Sequence, residues 1–307
     1  MERPPGQKRG YSAVQRTRIA LAALLLARLT FASPAESGPD ITTVPADLTI
    51  PPIEAGPPRA GARVVVVAPD YKGTEVHHVL YLPVNWQPGK KYGVLVEYAG
   101  NGNYRNQYGD VSTGEVEGSK LGYGISGGTD YIWLCLPYVS EDGTRNQTVW
   151  WGDVDATVAY ARREVARVCE QWGGDPGKVV LCGFSRGAIA CGYIGLHDEE
   201  IAGLWRAFIP YSHYDGVREW NYPDSGKTAA RARLQRLGGR PSFIIDGNNG
   251  LAETRAYIES TGISEPFTYC PLPFRNHNDA WALRDVPARR AVREWLENLL
   301  NPPEEGP

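Results

Sequence analysis

The sequence predicts one α/β domain built on a mostly parallel sheet of about eight strands, with helices covering both faces. Three observations carry this expectation. Eight short apolar runs recur along the chain, at 64–68, 79–82, 94–98, 131–136, 178–182, 205–209, 242–245 and 267–270. The later runs are separated by stretches long enough for a crossover helix, the spacing that parallel strands require. Runs such as Val64-Val-Val-Val67 and Ile132-Trp-Leu-Cys-Leu136 are also apolar without alternation, as strands covered on both faces are. The first two runs lie close together and read as an antiparallel hairpin.

Two helices can be placed between and after these strands. Asp153 is a plausible N-cap, and Val154, Val158, Ala161, Val165, Val168 and Trp172 follow at helical spacing until Gly173 and Gly174 stop the run. A last helix begins with Pro287 near its first turn and is expected to bury Ala291, Trp295 and Leu299. The folded domain is thereby expected over 61–300.

The ends read differently. Arg3, Lys8, Arg9, Arg16 and Arg18 precede an apolar run at 19–27, and small residues follow at Ala32 and Ala35. This basic, apolar, small-residue order predicts a secretory signal at 1–35 and an exported chain, secreted or periplasmic. Residues 36–60 are rich in proline and are expected to form a linker or a strap over the surface. Residues 301–307 are expected to be a disordered tail.

Composition narrows the function class. The 307 residues carry 32 Lys and Arg against 35 Asp and Glu, a formal net charge of −3, and 42% are hydrophobic. This excludes a disordered chain, a collagen and a multi-span membrane protein, and it argues against nucleic acid as a partner. Five cysteines are too few for a disulfide framework. Cys135, Cys182 and Cys270 sit in apolar runs and are expected to be buried; export permits one bridge, which the sequence does not place. No cysteine or histidine spacing suggests a metal site.

The chemistry enters at Gly183-Phe-Ser185-Arg-Gly187. A G-x-S-x-G match alone is weak, because Gly124-Ile-Ser126-Gly-Gly128 matches too. Ser126 lies in a glycine-rich stretch and is expected to be loop. Ser185 follows an apolar strand and opens a small-residue helical run, the strand–turn–helix context in which a serine hydroxyl is raised above the sheet edge. A nucleophilic serine needs a base. Of the five histidines, His77, His78 and His197 are expected at the surface. His277 lies between the last strand and the last helix, on a loop that returns to the sheet edge carrying Ser185, and is the expected base. His213 is the runner-up and an expected pocket residue. Asp246, directly after the 242–245 strand, is the expected acid, with Asp215 and Glu253 as alternatives. For the oxyanion, the Arg186 main-chain N–H is one expected donor; Gly100 and Asn101, in the loop after the 94–98 strand, are candidates for the second. Trp151 and Trp281, with Trp150 and Trp220 placed similarly, are expected either to present ring surfaces to substrate or to pack in the core.

With this strand order, serine turn, glycine loop and late histidine, the sequence resembles the α/β-hydrolase superfamily over about 62–300. Trp151-Gly-Asp-Val-Asp155, the Gly174-Asp-Pro turn and Lys178-Val-Val-Leu-Cys-Gly-Phe-Ser-Arg-Gly-Ala188 look like secreted esterases of the polyhydroxybutyrate depolymerase, feruloyl esterase and acetyl xylan esterase group. The chain departs from the usual pattern after the seventh strand: the turn reads Asp246-Gly-Asn-Asn-Gly250, with the aspartate before the glycine. Arg186 is similar to the arginine of the glucuronoyl-esterase Gly-x-Ser-Arg motif, where it assists the oxyanion, with Gly187 one residue early. The resemblance implies two-step acyl transfer on a small or polysaccharide-linked ester, through Ser185 and His277 and an acyl-enzyme, with no cofactor and no stable membrane insertion. A serine peptidase of the same fold and a silent ligand-binding member are the competing expectations.

Overall fold

A computed structural model of the chain describes residues 38–302. The expected signal at 1–35 and residues 303–307 of the tail lie outside the described residues. The chain forms β1 (Ile53–Glu54), β2 (Arg63–Val66), β3 (His78–Tyr81) and β4 (Tyr92–Tyr98), then a small two-stranded ribbon of β5 (Tyr104–Arg105) and β6 (Val111–Ser112). Helix α1 (Leu121–Ser126), β7 (Tyr131–Leu136), α2 (Val154–Trp172), β8 (Gly174–Phe184), α3 (Arg186–Tyr193) and α4 (Glu199–Ala202) follow. The last part is β9 (Ala207–Tyr211), α5 (Lys227–Leu234), β10 (Ser242–Asp246), α6 (Asn248–Thr261), β11 (Phe267–Pro271) and α7 (Pro287–Leu300).

The main sheet has nine strands in the order β1-β2-β3-β7-β4-β8-β9-β10-β11. It is parallel except where β3 pairs antiparallel with β2 and β7. All eight expected runs are strands of this sheet, and β1 is the ninth, too short and too polar for the apolar pattern to mark.

Alternation along the central strands builds two cores. In β4, Val94, Val96 and Tyr98 face a cluster that includes Val158, Ala161 and Val165 of α2 and Ile189 of α3. Leu95 faces the other side, where Leu121 and Ile125 of α1 meet Val292 and Leu296 of α7. Helix α2 starts at Asp153, whose carboxylate accepts the Ala156 N–H at 2.9 Å, and ends at Gly173 with φ 77. Helix α7 buries Val292, Leu296 and Leu300, one position on from the expected Ala291, Trp295 and Leu299, which are only partly buried beside them. The apolar stripe is two residues wide, and spacing alone does not choose its centre. Ser126, expected in a loop, ends α1, because glycines at 122 and 124 pack where the Trp133 ring and Ala282 leave room for no Cβ.

Residues 38–48 form a strap across the far end of the chain. Ile41 is buried in the α7-side core, Arg284 donates to the Val44 carbonyl at 2.8 Å, and Arg289 pairs with Asp47. All five cysteines are free and buried. Among the described residues no helix is long and apolar enough to cross a membrane.

Asp153→Ala removes the α2 cap and is expected to lower the unfolding free energy by about 1 kcal/mol. Chemical denaturation checks this, with Asp153→Asn retaining most of the stability.

Candidate active site

The turn between β8 and α3 holds Ser185 at φ 55 and ψ −112, a strained conformation for a residue with a side chain. Its geometry is imposed by close packing. A Cβ on Gly187 would stand 1.9 Å from the Tyr98 carbonyl oxygen, and one on Gly183 would stand 2.2 Å from the Gly187 backbone. The Ser185 N–H donates to the Tyr211 carbonyl at 2.9 Å, tying the turn to the end of β9.

His277 comes from the loop between β11 and α7, and its Nε2 lies 3.0 Å from Ser185 Oγ. The loop is held from several directions. Asp110, only 3% exposed, accepts the His277 main-chain N–H at 2.8 Å and the Asn276 side-chain amide at 2.9 Å, and it also accepts from Asn278. Asn276 in turn accepts the Ile41 N–H at 2.7 Å, and Arg275 pairs with Asp40 at 2.9 Å, so the N-terminal strap clamps the same loop. Lys120 pairs with Asp279 at 2.7 Å from a third side.

The other ring nitrogen does not meet a carboxylate. His277 Nδ1 lies 2.9 Å from Ser212 Oγ. Ser212 follows β9 at φ 74; its N–H donates to the Ile245 carbonyl at 2.8 Å, and its carbonyl accepts from His213 Nδ1. The three acid candidates are engaged elsewhere. Asp246 accepts the Gly247 N–H at 2.7 Å at the start of α6, with burial pushing its pKa up to about 6. Asp215 forms a buried bidentate pair with Arg233, at 2.7 and 3.0 Å, and Glu253 meets Arg218 at 3.3 Å on the surface. Asp246 stands at the expected strand end, but its hydrogen bond goes to the helix beginning beside it.

Arg186 is the first residue of α3, so its N–H has no partner within the helix. Its side chain, 1% exposed, donates to the carbonyls of Trp150 at 2.6 Å, Gly114 at 3.2 Å, Gln147 at 3.4 Å and Ala99 at 3.5 Å. The guanidinium also lies 4.0 Å over the Tyr138 ring, and burial lowers its pKa to about 10, leaving it charged at neutral pH. Arg186 thus ties together three loops around the serine. Asn101 lines the cavity above Ser185 and accepts the Trp150 N–H at 2.8 Å. Gly100 lies behind it, where a Cβ would be 2.8 Å from the Phe184 ring.

That cavity has a volume of about 340 Å³, and Tyr104, Trp150, Phe184, His213 and Trp220 supply its aromatic walls. His213 stacks on Trp220 with ring centroids 5.5 Å apart. Two expected ligand-facing residues are core instead. Trp151 is 4% exposed and stacks on Tyr193 at 4.7 Å, and Trp281 is 1% exposed and edge-on to Tyr211 at 5.5 Å. Trp150, at φ 53, lines the cavity, with its ring centroid 6.0 Å from that of the buried Trp151. His78, expected at the surface, is buried in β3 and bonded to the Tyr160 hydroxyl at 2.8 Å. Among the described residues no group of three or more His, Cys, Asp or Glu side chains gathers to hold a metal ion.

Burial lowers the His277 pKa to about 4, against an upward pull from Asp110, and lowers that of His213 to about 3. Both rings are neutral at pH 7 when folded. The unfolded chain takes up these protons near an ordinary histidine pKa of about 6.5, so it binds more protons than the folded state below that pH. The two histidines therefore lower stability as pH drops from about 6.5 toward 4, while Glu97 and Asp246, whose pKa values burial raises to about 7 and about 6, act in the opposite sense. Ring NMR at pH 5.5 is expected to find both histidines still unprotonated.

No protein-family model matches the chain, and no curated protein matches its sequence. Solved structures do match. An acetyl ester-xyloside bifunctional hydrolase from Caldicellulosiruptor lactoaceticus aligns at TM-score 0.54 and 14% identity, over 80% of this chain and 98% of that one. Esterase 2 of Thermogutta terrifontis, phosphorylated by paraoxon, aligns at TM-score 0.54 and 17% identity, over 80% and 96%. A protein provisionally assigned as a dipeptidyl aminopeptidase IV of Bacteroides ovatus aligns at TM-score 0.51 and 14% identity, over 77% of this chain and 35% of that one. The chain spans 61% of the length of a thermostable esterase that aligns at TM-score 0.47. With this strand order and these structural neighbours, the chain has the α/β-hydrolase fold.

Proposed function

We propose that the chain is a serine hydrolase that cleaves carboxylic esters through an acyl-enzyme. The observation that carries the reading is the 3.0 Å contact between His277 Nε2 and a Ser185 hydroxyl held on a strained strand–helix turn. The neutral imidazole takes the Ser185 proton as Oγ bonds to the ester carbonyl carbon. The N–H groups of Arg186 and Asn101 are the donors for the oxygen that becomes negative, with Gly100 allowing the loop to lie close. Collapse releases the alcohol; water, activated by His277, then releases the acid and restores Ser185.

The cavity favours an uncharged ester. Its walls are largely aromatic, and the charge among its lining residues, on Arg186, is taken up by loop carbonyls. Its size suits a small acyl or aryl group, or one sugar ring carrying an acyl ester, the chemistry named for the xyloside hydrolase of the same fold. Export fits the order of residues at 1–35.

A fluorophosphonate probe is expected to label the wild type and not Ser185→Ala, which should also lower kcat for 4-nitrophenyl acetate by more than about a thousandfold. Absence of labelling in the wild type would favour a silent binding protein. The acid limb of kcat/KM is expected near pH 4 and not near 6.5, following the lowered His277 pKa. Trp150→Ala is expected to raise KM for an aryl ester severalfold while changing kcat less, as loss of uniform binding does.

A further inference from the structure

We propose that Ser212 stands where a triad carries its acid, positioning His277 through a hydroxyl, so that the ring which takes the Ser185 proton is steadied by a neutral oxygen and not by a carboxylate. This rests on the reading of Ser185 and His277 as nucleophile and base.

The imidazole is held at both nitrogens, by Ser185 Oγ at 3.0 Å and Ser212 Oγ at 2.9 Å. For Nε2 to accept the Ser185 proton, Nδ1 must carry the ring hydrogen and donate it to Ser212. Ser212 is built into place for this. It is 8% exposed, its left-handed backbone is pinned between β9 and β10, and its carbonyl is engaged by His213. The charged groups that bear on His277 are Asp110, Asp279 and Arg218, with the neutral His213 ring 5.4 Å away. Asp110 holds the main chain of the loop, and Asp279 is paired with Lys120. Neither forms the hydrogen bond at Nδ1, which goes to Ser212.

A hydroxyl and a carboxylate at Nδ1 differ in what they do for the protonated ring. The charge-assisted bond to a carboxylate is roughly twice as strong as a neutral one, and it stabilises the imidazolium formed during acylation. Here that imidazolium faces a neutral oxygen in a buried site. In acylation the Ser185 proton moves to Nε2, the Oγ–C bond forms, and the carbonyl electron pair moves onto oxygen. The pair then returns and the C–O bond to the alcohol breaks, with its electrons leaving on that oxygen. The imidazolium gives that proton to the departing oxygen; a hydroxyl at Nδ1 leaves it a ready donor but makes His277 a weaker acceptor of the Ser185 proton, so the cost falls on the attack step whichever alcohol leaves.

The test compares full-length wild type with Ser212→Ala, Ser212→Gly and Ser212→Asp on 4-nitrophenyl, phenyl and ethyl acetate. Glycine relaxes a left-handed residue and aspartate tolerates one, so folding loss is separated from loss of the hydroxyl. Ser212→Ala and Ser212→Gly should each lower kcat on 4-nitrophenyl acetate about tenfold, as loss of a buried hydrogen bond does. Ser212→Asp should keep kcat at or above the wild-type value and move the acid limb of kcat/KM to higher pH, as a carboxylate at Nδ1 raises the basicity of the ring. Alanine and glycine variants within twofold of a fluorophosphonate-labelled wild type would overturn the positioning role. So would an aspartate variant whose acid limb stays where that of the wild type lies. An unlabelled wild type would instead remove the serine-hydrolase reading on which this one stands.

Discussion

The contact on which the site depends is the approach of α3 to the end of β4. Gly187 lies so near the Tyr98 carbonyl that no side chain fits between helix and strand. That approach lets the chain reverse within one residue, which forces Ser185 into its strained backbone and lifts its hydroxyl over the sheet. Arg186, the first residue of α3, lines the same cavity as Ser185 and Asn101, so the proposed nucleophile and oxyanion donors share one place. The strand order places β4 and β9 on either side of β8, which is why their trailing loops meet at Ser185.

His277, the proposed base, is held differently, by a loop fastened at many points and not by a helix or strand. Asp110 reaches it from the small β5–β6 ribbon, Lys120 from the start of α1, and Asp40 and Ile41 from the strap. These anchors act on the main chain and on the side chains flanking His277, and they leave its two ring nitrogens to the serines. Burial then keeps the imidazole neutral, the state needed to accept a proton. Arg186 plays the corresponding part for the opposite wall by drawing the carbonyls of three loops onto one guanidinium.

Much of this was legible in the residues. The eight apolar runs are strands, Asp153 and Gly173 bound α2, and Ser185, His277, Arg186 and Asn101 gather at one sheet edge. These features have local signatures: an apolar run, a cap, a glycine-flanked serine. Asp246 illustrates where the local signal misleads, since a carboxylate at a strand end is equally suited to the N-terminus of the following helix, and there its hydrogen bond is made. Ser212 and Asp110 carry no such signature, and Asp110 acts on a loop more than 160 residues away in the chain. Trp150 and Trp151 are adjacent and chemically alike, yet one lines the cavity and the other is core.

By itself, then, the sequence determined the strand and helix pattern, the turn that presents Ser185 and the loop that carries His277, because each rests on residues within a few positions of one another. Which oxygen meets His277 Nδ1, which tryptophans face the cavity and what fastens the base loop were decided only by the tertiary structure. Those outcomes depend on the packing of segments far apart in the chain, and burial there selects among several chemically equivalent partners.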